Sequence, residues 1–131
     1  EKKYQLVMIL TENYPFREAK FFDNMIEKLI HSGLSTLIAA SNVRTGIWLK
    51  DKYSINKKKL INSFTPNKFK NELTLLTSIG LGCLTYKKNI VNGNIYGDKF
   101  DFYITDSPFS MVEITKTDQL EVLKKITEFG S

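Results

Sequence analysis

Leu6-Val-Met-Ile-Leu10 is five apolar residues in succession with no alternation, the pattern of a strand covered on both faces and therefore of a largely parallel sheet under helices. The pattern predicts that this strand lies centrally in its sheet. Working outward, Asn13-Tyr14-Pro15 ends the strand. Phe22, Met25, Ile26, Leu29 and Ile30 then recur at helical spacing across Arg17 to His31, and Gly33 is placed to stop that helix. Ser35-Thr-Leu-Ile-Ala-Ala40 reads as a second strand, so residues 5–40 make one strand-helix-strand crossover. The expected fold class is α/β, a layered, mostly parallel sheet with covering helices.

Residues 42–73 lose this periodicity and read as an excursion from the sheet, a hairpin arm. Ile79 to Tyr86 resumes an apolar run, and Asn92-Gly93 is a turn signal. Phe100, Phe102 and Ile104 alternate with Asp101 and Tyr103, as in a strand with two unlike faces. Ser110 to Thr115 reads as a further strand with Glu113 and Thr115 on one face. An amphipathic helix over Asp118 to Phe129 follows, for which Thr115 and Asp118 offer a capping box.

The chain has 131 residues, 42% of them hydrophobic and 12% aromatic, which suits one globular domain with a modest core. Nineteen basic and fourteen acidic side chains give a net charge of +5. The Lys57-Lys58-Lys59 run reads as a solvated loop. Phe21, Phe22, Phe100 and Phe102 sit at core spacings without interleaving with a basic stripe, so no nucleic-acid partner is expected. The single Cys83 lies in an apolar run and reads as a buried, inert thiol. With no signal-peptide pattern and no apolar stretch near the roughly 20 residues a bilayer span needs, a cytoplasmic location and no membrane partner are expected. His31 has no partner motif, no His/Cys cluster has zinc spacing, and no serine stands in a nucleophile elbow.

Lys99-Phe-Asp-Phe-Tyr-Ile-Thr105, Ser110-Met-Val-Glu-Ile-Thr115 and the terminal helix together resemble the closing segment of the sugar-acid cytidylyltransferases of the acylneuraminate and CMP-Kdo type. Thr11, Pro15 and Arg17 resemble that family's strand-to-helix turn, and Gly82 matches the glycine of its Asn-Gly strand, with Leu81 in place of the asparagine. Glu113 matches the first acid of its acid-x-acid metal motif, with Thr115 at the second. The resemblance implies a nucleotide-diphospho-sugar transferase type fold and transfer of CMP from CTP to a sugar acid with magnesium. Arg17 and Gly82 would then contact substrate, Glu113 would touch the metal, and an arm at 44–70 would make a homodimer. It covers only the last two thirds of the family's domain, lacking the N-terminal nucleotide loop. Residues 1–131, beginning at Glu1 without an initiator Met, are thus expected to be a partial domain inactive on CTP alone. Three departures point to a second reading, a non-catalytic binding or assembly module on the same scaffold: the missing loop, Leu81 and Thr115. Packing alone also accounts for Gly82, surface charge for Arg17, and a strand-end carboxylate for Glu113.

Overall fold

The computed structural model describes residues 5–43, 46–62, 72–105, 107 and 110–129. In chain order the elements are β1 (Leu6–Ile9), α1 (Phe21–Ser32), β2 (Thr36–Asn42), β3 (Ile47–Lys50), β4 (Lys58–Asn62), β5 (Leu75–Thr77), β6 (Cys83–Tyr86), α2 (Lys87–Val91), β7 (Phe100–Ile104) and α3 (Thr117–Phe129).

The centre of the sheet is β2, in which every residue from Thr36 to Ala40 is buried. Along one edge it pairs antiparallel with β6 at Thr36–Ile38 and with β5 at Ala40–Asn42; along the other it pairs parallel with β7. β1 closes the sheet through an antiparallel ladder to β6. The sheet is therefore mixed and mostly antiparallel, which corrects the expectation of a layered, mostly parallel sheet of the nucleotide-diphospho-sugar transferase type. β1 is also an edge strand, only half-buried along its length. A run of apolar residues reports cover on both faces but carries no information on strand direction. Here β6 inserts between the two strands that α1 connects, so β1 and β2 run the same way without touching.

Alternation decides what faces α1. Leu37 and Ala39 of β2 and Leu84 of β6 meet Phe21, Met25 and Leu29 in the main core cluster, with Tyr103 of β7 packed against it. The Phe21 ring meets Tyr103 edge-on at 5.4 Å. Gly33 ends α1 in the left-handed conformation at φ 71°, the glycine stop the sequence announces. On the opposite face the Thr36 and Thr85 hydroxyls lie 2.8 Å apart, and Thr36 donates to the Ile95 carbonyl at 2.7 Å. Asn89 of α2 donates to Thr85 and to the Ser35 carbonyl, so these buried polar groups are satisfied and hold α2 to the sheet.

Of the expected arm at 44–70, positions 44–45 and 63–70 lie outside the described residues. Positions 47–62 form the β3–β4 hairpin, a two-stranded sheet of its own. The strand expected over Ser110 to Thr115 is absent: Ser110 and Met111 make a turn, and Val112 to Thr115 have no regular structure. α3 opens with the Gln119 carboxamide oxygen accepting from the Thr115 and Lys116 amides at 2.8 and 3.1 Å, so Gln119 takes the capping role expected of Asp118. No helix among the described residues is long and apolar enough to cross a membrane.

Leu37 is fully buried and paired in both the β6 and β7 ladders, so Leu37→Ala is expected to cost about 2–5 kcal/mol in urea unfolding. Cys83 is fully buried beside Ile38 and Ile9, and burial pushes its thiol up. A raised thiol pKa stabilises the fold below the ordinary thiol value, and this contribution is lost as pH climbs through the folded pKa. Cys83 should therefore resist thiol reagents until the chain unfolds, and Cys83→Ala should flatten the alkaline fall in stability.

Candidate functional site

Arg17 and Glu113, two of the candidate residues read from the sequence, meet the loop between β1 and α1. The loop exists because Tyr14 is drawn into the core while Pro15 lies exposed, and α1 waits until Phe21 to begin. Arg17 explains the delay. Its Nε donates to the Leu81 carbonyl at 2.9 Å and its Nη1 to the Tyr14 carbonyl at 3.2 Å. Its Nη2 donates to the Thr11 and Gly80 carbonyls at 2.5 and 2.8 Å. Gly80 and Leu81 lie in the break between β5 and β6, where the ladder to β2 lapses and main-chain carbonyls need other donors. The guanidinium carbon lies 5.7 Å from the Tyr14 ring centre and 5.6 Å from that of Phe22. Burial pushes the Arg17 pKa down and the neighbouring Tyr14 pushes it up; the guanidinium stays charged at physiological pH.

The same loop reaches two further segments. The Asn13 side-chain Nδ2 donates to Glu113 Oε1 at 2.7 Å, its main-chain carbonyl accepts from the Ile114 amide at 2.8 Å, and its side-chain oxygen accepts from the Thr11 hydroxyl. Glu18 Oε1 accepts from the Thr105 hydroxyl and the Ser107 amide, both at 3.0 Å. The segment after β7 is thus pinned at both ends to the loop after β1. The Tyr14 hydroxyl adds a 2.6 Å bond to Ser78.

Pinning Val112 to Ile114 in this way opens a cleft of about 790 Å3 between that segment, Phe16 and α3. The helix contributes Asp118, Gln119, Val122, Leu123, Ile126 and Thr127, a single stripe at helical spacing. Val122 and Ile126 are 57% and 61% exposed, so the apolar face of α3 is only partly covered by the domain. The Glu113 and Asp118 carboxylates lie at the polar part of the cleft; Asp118 Oδ1 accepts from the Gln119 amide, and neither carboxylate meets a cation among the described residues.

Of the three residues singled out in the sequence, the structure brings Glu113 to the cleft and sets the others behind it. Arg17 is spent on main-chain carbonyls. A Cβ on Gly82 would meet Phe21 at 3.2 Å and Met25 at 3.4 Å, so this glycine faces α1. Gly80 is the tighter position, with Thr11 Oγ1 only 2.6 Å from where its Cβ would stand. The Thr115 hydroxyl donates to Gln119 Oε1 at 3.1 Å, and no group of three or more His, Cys, Asp or Glu that could hold a metal occurs among the described residues. Glu113 and a committed threonine do not reproduce the acid-x-acid pair that the resemblance calls for. Phe16 and the exposed side of α3 are the site residues that sequence reasoning missed; the helical spacing of α3 was visible, but spacing does not say whether a stripe is covered.

No protein-family model matches the chain, and no curated protein matches it.

Lysine at position 17 would keep the charge but cannot reach four carbonyls with one planar fork. Arg17→Lys is expected to lower stability by about 1.5–3 kcal/mol. Amide hydrogen exchange should quicken selectively at Thr11, which donates to the Gly80 carbonyl, and at Ala39, which donates to that of Gly82.

Proposed function

We propose that this domain is a non-catalytic binding module, and that its site is the cleft under α3, taking an apolar ligand that carries a cationic or hydrogen-bond-donating head. The observation that carries this reading is the lining itself: Phe16, Val112, Ile114, Val122, Leu123 and Ile126 surround about 790 Å3 of space, with two carboxylates at the polar part. That volume falls within the range of small-molecule sites, and a mostly apolar wall with a few placed polar groups is their usual composition. Asn13 holds Glu113 by one oxygen, which fixes the carboxylate for a ligand donor.

Binding ranks ahead of CMP transfer for two reasons. Arg17 has its donors on carbonyls and not on a substrate anion. Thr115, at the second position of the acid-x-acid motif, offers a neutral hydroxyl that donates to Gln119 Oε1 in place of a carboxylate. A cytoplasmic setting is in keeping with the single reduced Cys83.

The test is isothermal titration of the chain with octylammonium, octanoate, and CTP with magnesium. Octylammonium should bind, octanoate of equal length should bind at least about tenfold more weakly, and Glu113→Gln should remove about tenfold from the octylammonium affinity. Saturable binding of CTP with magnesium, lost in Glu113→Gln, would contradict this reading and favour nucleotidyl transfer.

A further inference from the structure

The β3–β4 hairpin is a second open surface, with a composition unlike the cleft. Between Ile47 and Asn62 it holds Lys50, Lys52, Lys57, Lys58 and Lys59 against Asp51 alone, a net +4 of the chain's +5. Asp51 is engaged in the turn, where its Oδ1 accepts from the Tyr53 amide at 2.8 Å while its own amide donates to the Lys57 carbonyl. Lys50 stands directly across the ladder from Lys58, a like-charge pair that disfavours the hairpin unless anions lie against it. Lys50, Lys57, Lys58 and Lys59 rim one shallow concavity of about 360 Å3.

Asn56 apart, the other exposed side chains described on the hairpin are apolar or aromatic. At the tip Tyr53 is 97% exposed and Ile55 is 80% exposed; behind the lysines Trp48, Leu49, Leu60 and Ile61 are also open. A two-stranded ribbon is marginal in water by itself, so this arrangement calls for a partner that is both anionic and apolar. A polynucleotide would meet the lysines and stack on Trp48 and Tyr53 but has no complement for Leu49, Ile55, Leu60 and Ile61. A second copy of the arm would bring +4 against +4. An anionic bilayer surface offers phosphates at the level of the lysines and an acyl boundary beneath them, where tyrosine, tryptophan and short aliphatic side chains settle.

We propose that the β3–β4 arm docks the protein on an anionic phospholipid surface, with Tyr53 and Ile55 entering the headgroup layer and the flanking lysines meeting lipid phosphates. This is attachment to a membrane face and not a span, so it is compatible with the absence of a spanning helix among the described residues. It also differs from the expectation of no membrane partner, which was drawn from spanning segments alone.

Trp48 is the single tryptophan of the chain and sits on the arm, so its fluorescence reports docking directly. The chain should sediment with vesicles of phosphatidylcholine and phosphatidylserine, with a blue shift of Trp48 emission, and stay in solution with phosphatidylcholine alone. Added salt should weaken the association. Lys57→Glu with Lys58→Glu should reduce partitioning by about tenfold or more. Tyr53→Ser with Ile55→Ser should abolish the blue shift, while both variants unfold at the parent's temperature. The proposal is overturned by equal binding to the two vesicle types or by binding unchanged in both variants. It is overturned equally by a single-stranded oligonucleotide that displaces the vesicles, or by a dimer in solution that the same substitutions dissolve.

Discussion

One guanidinium holds this domain's loops in register. Arg17 reaches carbonyls on both sides of a gap, Thr11 and Tyr14 in its own loop and Gly80 and Leu81 some 63 to 64 positions away. Those distant carbonyls fall where the strand beside β2 is interrupted between β5 and β6. An interrupted strand in a sheet interior leaves polar main-chain groups without ladder partners, and their burial is costly unless something donates to them. Arginine suits this place because its donors are rigidly spaced, cannot be lost to deprotonation and can stack between Tyr14 and Phe22. On either side of Arg17, Asn13 bonds Glu113 and Ile114 while Glu18 bonds Thr105 and Ser107. The cleft beneath α3 is a consequence of that chain of bonds.

Much of this architecture is legible in the sequence. The apolar spacing of α1 and its Gly33 stop, the alternation of β7 and the stripe of α3 all state their element types, because side-chain periodicity is a local property. Strand direction is not local. The run Leu6 to Leu10 suggests a central strand of a parallel sheet, whereas β1 lies at an edge and pairs antiparallel with β6, more than seventy positions downstream. α2 went unseen because Lys-Lys-Asn-Ile-Val has little apolar face and is held by the buried Asn89 to Thr85 and Ser35.

Where the candidate site residues sit depends on contacts of the same non-local kind. Arg17 carries the look of a substrate ligand in a loop beside a sheet, and only the arrival of Gly80 and Leu81 from another part of the chain shows where its donors go. Glu113 and Thr115 alternate as if on a strand, but Asn13 captures Ile114 and Glu113 and Gln119 captures Thr115, so neither neighbour leaves a ladder to form. The spacing of α3 states an amphipathic helix, yet Val122 and Ile126 on its apolar face stay more than half exposed. Such uncovered apolar surface marks sites of interaction more often than it marks poor packing.

The central claim is the proposal that the cleft under α3, beside the Arg17-centred loop, binds a ligand, and amide chemical-shift mapping of the chain titrated with octylammonium tests it most directly. The account predicts saturating shifts concentrated at Val112, Glu113 and Ile114 and along the Asp118 to Thr127 face of α3, with the β3–β4 arm unmoved. Shifts that never saturate, or that fall on the arm while α3 stays silent, would contradict it.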